Sequence, residues 1–192
     1  MILALKNKYL MTHFKNNGFT LVETLVAITI LLTTVVAPMV FLSANISSIF
    51  SIKDKITALY LAEDAIDFVK YKIATEFNLV NPSWLDGVAV CVLGGGGQPC
   101  LVDSFSDTVE VCSGSCPVMN YNASTGVYGY GTSGSWAPSK FTRTVTIASV
   151  ANDPYPSAGT PQEVIITALV SWDYKGVPKK VIIFEHAFSW GI

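Results

Sequence analysis

Few residues in this chain have both the chemistry and the spacing of a working site. The first is Glu23, a lone carboxylate in the apolar stretch "GFTLVETLVAITILLTTVVAP". A charge at membrane depth costs on the order of 2.5–3.5 kcal/mol even on lenient insertion scales. Locally, Thr20-x-x-Glu23 fits a capping box, in which threonine and glutamate satisfy free backbone donors at a helix start. That explains the glutamate, but not Gly18 directly before an aromatic residue, the basic leader, or the apolar helix that follows. The second group is Cys91, Cys100, Cys112 and Cys116. An even number of cysteines in an oxidising space points to disulfides. Three pairings are possible. Cys91–Cys100 with Cys112–Cys116 is preferred, because each pair is close in sequence and each loop contains glycine. Spacings of C-x8-C, C-x11-C and C-x3-C suit a zinc finger poorly, so no metal is expected.

Other chemistry-bearing residues read as structural. "GGGGQPC" lacks the Lys-Ser/Thr ending and the following helix of a phosphate loop, and reads as a turn. His186 sits in a strand beside Glu185 with no evident cysteine or serine partner, and reads as a structural histidine. Glu63, Asp64 and Asp67 have lysines nearby and read as a solvated face or a subunit contact. "NIS" at Asn45 and "NAS" at Asn122 match a short, weak glycosylation pattern. No catalytic constellation stands out. The chain reads as a non-enzyme without a cofactor.

These residues must be carried by a simple set of elements. The 192 residues suit one globular domain plus an appendage. From Phe19 to Leu42 the chain is apolar except for threonines, Pro38 and Glu23, longer than the roughly 20 residues a helix needs to cross a bilayer. Lys6, Lys8, His13 and Lys15 precede it, which keeps the N-terminus cytoplasmic and sends the rest across. An ordinary secretory signal places its small cleavage residue after the apolar core. Here Gly18 comes before it, so cleavage would leave the anchor attached to the head. Met11 is an alternative start, giving the leader "MTHFKNNG". Without residues 1–18 the chain keeps nine basic and fourteen acidic residues, a solubilising balance. With Arg143 as its only arginine and no basic patch, direct nucleic-acid binding is not expected.

One helix is expected from Phe19 to about Asn78, stopped by Asn81-Pro82 and kinked at Pro38. Its second half is amphipathic, with Ile46, Ile49, Ile52, Ile56, Leu59, Ala62, Ile66, Val69, Ile73 and Phe77 recurring at mostly three- and four-residue spacing. That stripe is expected against a head. Residues 83 to 138 read as loop, with possible short strands at Gly87 to Leu93 and Thr108 to Cys112. Three strands follow, at Phe141 to Val150, Glu163 to Trp172 and Lys180 to Trp190, the last two joined by the turn "DYKGVPKK". The fold class is α+β, a long N-terminal helix packed on a small antiparallel sheet. The expected organisation is a leader at 1–18, a transmembrane or filament-core helix at 19–42, an amphipathic helix at 43–80 and a loop-rich β head at 81–192.

"GFTLVETLVAITIL" resembles the start of type IV pilins and of type II secretion pseudopilins. Gly18, Phe19, Thr20, Leu21, Val22 and Glu23 all fit the processing motif, and a proline deeper in the apolar helix, here Pro38, is also a habit of the family. More loosely, "ALYLAEDAIDFVKYK", followed at a distance by Trp84, resembles minor pilins of the modification-protein type. The resemblance implies cleavage between Gly18 and Phe19 by a prepilin peptidase and N-methylation of the new Phe19 amine. Glu23 would then form an assembly salt bridge with the N-terminus of a neighbouring subunit, or contact its own Phe19 amine. The implied partners are the peptidase, other pilin subunits, the inner-membrane assembly platform and, before assembly, membrane lipid. The implied location is a single-pass inner-membrane protein with its C-terminus outside the cytoplasm, then a surface or periplasmic filament. Three roles compete: a minor pilin, which is preferred, a pseudopilin, and a tip-located adhesin or DNA receptor using the loop from Tyr121 to Trp136.

Overall fold

A computed structural model describes residues 18, 20–77, 83–92, 97–150 and 161–189. The leader up to residue 17, Phe19, the Asn81-Pro82 stop, Gly94 to Gly96 and Trp190 lie outside the described residues. The architecture is α+β: a long N-terminal helix followed by an antiparallel sheet. By its contacts the chain divides into two units, Met1–Ser48 and Ile49–Ile192. Helix α1 is Leu21–Phe77.

In the first unit α1 is apolar and exposed all round. Leu21–Leu42 is long and apolar enough to cross a membrane, with a mean hydropathy of 2.5. Its threonines are compatible with lipid because each hydroxyl donates back to its own helix: Thr24 to the Leu21 carbonyl at 2.9 Å, Thr29 to Val26 at 2.8 Å, and Thr33 and Thr34 to carbonyls three and four residues earlier at 3.0 Å. The segment stays helical through Pro38, which has no N–H to give the Thr34 carbonyl.

The second unit is built on β5 (Trp136–Ser149) and β6 (Glu163–Tyr174), with β7 (Val177–Phe188) returning along β6. Thr142 to Ser149 pair with Ser171 to Val164. On its other edge β5 pairs with β3 (Val118–Asn122) through its first half and with β1 (Cys100–Asp103) at Val145. β2 (Thr108–Val111) and β4 (Tyr128–Gly129) complete the seven strands. The turn into β7 is two residues, Lys175 and Gly176, both at positive φ. Twisted hairpins favour that geometry, and glycine at the second position relieves it. The Asp173 carboxylate accepts the Gly176 N–H at 2.7 Å.

Strict alternation puts Phe141, Arg143, Val145 and Ile147 of β5, and Val164, Ile166, Ala168, Val170 and Trp172 of β6, on the buried face. Against them lie Ala58, Leu61, Ala62, Ala65, Ile66, Phe68, Val69 and Ile73 of α1. The three alanines let the helix backbone approach the sheet, and each large aliphatic side chain buried there contributes about 1.5–3 kcal/mol.

Two expectations need correction. Residues 87–92 of the strand expected at 87–93 are not a strand: Asp86–Val88 form a 3-10 turn and Ala89–Val92 a short helix, α2. Trp84, Leu85, Val88 and Cys91 are buried while Val90 is exposed, a helical spacing and not an alternating one. The Trp84 ring N–H donates to the Pro161 carbonyl at 2.8 Å and fixes this segment. The stretch to residue 138 also holds more strands than expected, although β2 stands where a short strand is expected at Thr108 to Cys112. It holds β1 to β4, and β5 begins at Trp136, ahead of the expected Phe141. Pro138 is tolerated because this part of β5 pairs with β3 alone, so the missing N–H faces no second strand.

Cys91–Cys100 and Cys112–Cys116 are disulfide-bonded, with Cα separations of 5.9 and 5.0 Å. Cys91 and Cys100 are completely buried and tie α2 to β1. Their sequence separations are 9 and 4 residues, so loop closure stabilises by roughly 2.5 and roughly 2 kcal/mol. Replacing Cys91 and Cys100 with alanine should lower the melting temperature more than the same change at Cys112 and Cys116, because it also empties core volume. Thermal melts of the two double variants check this.

Candidate assembly and anchoring site

At the start of α1, the Glu23 N–H donates to the Thr20 hydroxyl at 3.3 Å and the Thr24 N–H to the Thr20 carbonyl at 3.1 Å. Thr20 is therefore the helix cap. Glu23 stands at the third helical position, where a carboxylate also favours the positive end of the helix dipole. The second half of a capping box is not made: among the described residues the Glu23 carboxylate has no hydrogen-bond or ion-pair partner, and its side chain is exposed. Local capping accounts for Thr20 and leaves the charge of Glu23 available. Gly18 is exposed, and a Cβ built there would meet nothing within 4 Å. Phe19, the other half of the expected cleavage site, lies outside the described residues.

In the second unit the helix face opposite the core is apolar at its beginning. Ile49, Ile52, Ile56 and Leu59 follow a 3-4-3 spacing and all are exposed, Leu59 the least at 40%. This corrects the single head-facing stripe. Of that series Ala62, Ile66, Val69 and Ile73 are buried, joined by Ala58, Leu61, Ala65 and Phe68. Two apolar faces share one run in the sequence, because three- and four-residue steps around a helix drift from one to the other over several turns. Further on, the outer face carries Glu63, Asp67 and Lys70. A 3-4 seam of exposed isoleucines is the surface on which a second helix packs.

The acids expected on a solvated face separate on inspection. Asp64 accepts from Arg143 at 2.7 Å and from the Ser104 hydroxyl at 3.0 Å. Arg143, 1% exposed, also donates to the carbonyls of Leu61 on α1 and Val102 on β1. One guanidinium therefore joins helix, central strand and neighbouring strand. The signal was in the sequence: in "FTRTVTI" the arginine occupies an inward position of an alternating strand. Nearby, burial raises the Tyr130 phenol above its usual pKa, partly offset by Arg143. Lys140 pairs with the buried Asp54 at 2.5 Å. His186 is held by Glu163, its Nδ1 2.6 Å from the carboxylate, while Glu185 pairs with Lys70 at 2.7 Å. No group of three or more metal-ligating side chains occurs among the described residues.

The prokaryotic N-terminal methylation motif, the type IV pilin signature, matches residues 13–37. The matched span contains Gly18, Phe19 and Glu23. No curated protein and no solved structure matches the chain. The motif supports a type IV pilin-like protein, processed by a prepilin peptidase and assembled with other pilin subunits. The single apolar N-terminal helix fits membrane anchoring followed by incorporation into a filament.

Proposed function

We propose that this chain, which carries the type IV pilin signature at its N-terminus, is a minor pilin: cleaved between Gly18 and Phe19, methylated on the Phe19 amine, and drawn into a pilus filament by its N-terminal helix. The observation that carries this reading is the methylation motif with a Glu23 inside it that has no partner among the described residues. In the filament the carboxylate meets the cationic Phe19 amine of a neighbouring subunit. A lone charge in apolar surroundings is unfavourable and a paired one is tolerated, so the pair favours one axial register over all others. Pro38 bends the apolar helix so that it can pack among its neighbours. The exposed Ile49, Ile52, Ile56 and Leu59 seam gives a further surface for a neighbouring helix. Before assembly the chain is a single-pass inner-membrane protein with its head outside the cytoplasm, where the two disulfides persist, and it is extracted by the membrane assembly platform.

A type II secretion pseudopilin is the second reading, favoured by the same motif. The two share the N-terminal chemistry and differ in which machine takes up the subunit. The test of the common reading is N-terminal sequencing and intact mass of the chain, coexpressed with and without its host's prepilin peptidase. A start at Phe19 carrying one extra methyl group, only when the peptidase is present, is the expected result. An unchanged start at Met1 or Met11 under both conditions would make the chain a simple anchored protein. Once processing is established, cross-linking in cells that retain only the pilus platform or only the secretion platform separates the two roles.

A further inference from the structure

Phe105 stands at the tip of the β1–β2 turn with 60% of its surface exposed, yet it is held rigidly. Its N–H donates to the buried Asp103 carboxylate at 3.1 Å, which also takes the Ser106 hydroxyl at 2.6 Å. Its ring meets Trp136 edge-on, with centroids 5.5 Å apart. Gly131 makes room for that indole, since a Cβ there would come within 2.5 Å of it. A groove lies on each side of Phe105. One, of about 410 Å³, is lined by Tyr60, Asp64, Ser104 and Tyr128. The other, of about 340 Å³, is lined by Ser106, Thr108, Glu110 and Tyr130. Both have the size of small-ligand sites.

We propose that these paired grooves bind a neutral carbohydrate, with Phe105 and Tyr60 stacking on the C–H faces of successive sugar rings. Asp64 and Glu110 then accept hydrogen bonds from ring hydroxyls. Each groove joins an aromatic ring to a carboxylate and a hydroxyl, the combination that matches a pyranose with its apolar face and hydroxyl rim. Asp64 is 45% exposed and fixed from behind by Arg143 and Ser104, so its remaining lone pairs are oriented before a ligand arrives. An organic cation would use the same aromatics. The Arg143 guanidinium 2.7 Å from Asp64 offsets the negative charge that would attract one, and a neutral polyol does not need that charge. Tyr128 remains a neutral phenol: burial first, then Tyr121 and Asp54, raise its pKa. The site overlaps the loop expected to carry binding, which supplies Tyr128 and Tyr130, and extends beyond it to Tyr60 and Asp64 of α1 and Phe105 of the β1–β2 turn.

The test uses the full chain in a polyoxyethylene detergent, which carries neither sugar nor cation. Saturation-transfer NMR and calorimetry are run with trisaccharides of β-linked glucose, β-linked N-acetylglucosamine and α-linked mannose, and with tetramethylammonium. At least one trisaccharide should bind at millimolar concentration. Phe105→Ala and Tyr60→Ala should each weaken it about tenfold or more while keeping a cooperative melting transition, lowered slightly in Phe105→Ala by loss of the Trp136 contact. Phe184→Ala, at an exposed ring elsewhere on the sheet, should leave it unchanged. No binding by any trisaccharide, binding indifferent to Phe105 and Tyr60, or binding of tetramethylammonium alone would each overturn the proposal. None of these outcomes bears on N-terminal processing.

Discussion

Glu23→Ala should remove this chain from filaments while leaving its cleavage intact. The substitution keeps the helix cap, because Thr20 accepts the backbone N–H of residue 23 whatever its side chain. It takes away the one carboxylate in Leu21–Leu42 and leaves the neighbouring amine without a partner. Breaking a buried ion pair by deleting one member costs about 3–5 kcal/mol. At each intersubunit contact that is roughly two to nearly four orders of magnitude in the assembly equilibrium, so incorporation should fall below about a tenth of the wild-type level. Glu23→Gln retains shape and helix propensity and should fail nearly as badly if charge is the reason. Meanwhile both variants should remain in the membrane, and more comfortably, since the cost of a charge at that depth is lifted. Quantitative immunoblots of sheared filaments and of membranes measure the two pools. Wild-type amounts of either variant in filaments would refute the pairing.

Arg143→Met should destabilise the head by about 1–3 kcal/mol for each buried carbonyl it leaves unpaired. The change strands the Val102 carbonyl in the core, and Asp64 loses the group that orients it. Arg143→Lys should recover only part of this, because an ammonium cannot spread across the Leu61, Asp64 and Val102 acceptors as the planar guanidinium does. Pairing Arg143→Met with Asp64→Leu should restore some stability, since it also removes the half-exposed carboxylate that has lost its partner. Urea denaturation of the full chain in detergent, run as a double-mutant cycle, measures the coupling. Additive losses with no coupling between positions 64 and 143 would show that the bridge contributes little and that Arg143 acts through the Leu61 and Val102 carbonyls and its volume.

The N-terminal features were legible because their physics is local. Length and apolarity mark Leu21–Leu42, one turn of backbone relates Thr20 to Glu23, and the processing motif is contiguous. Strands β5 to β7 were legible for a similar reason: a two-residue period of buried and exposed side chains shows directly in Val164 to Trp172. Short segments without a clear period were not. Residues 86–92 contain enough valine to suggest a strand, and only packing of Trp84, Val88 and Cys91 against the core makes them helical. Of the short strands only β2 shows in the sequence, at Thr108 to Cys112; β1, β3 and β4 are two to five residues long, and their stability comes from pairing with distant β5 and with their short neighbours.

What the sequence determined by itself is the anchor, the helix start and the period of the sheet, each set by interactions within a few turns or residues. What the tertiary structure decided is which of two apolar faces on α1 meets the sheet, that Asp64 joins the buried Arg143, and that Phe105 stands beside Tyr60 and Trp136. Those contacts join residues 31 to 79 positions apart. Spacing along the chain cannot specify them, because they exist only once burial of the common core has brought helix and strands together.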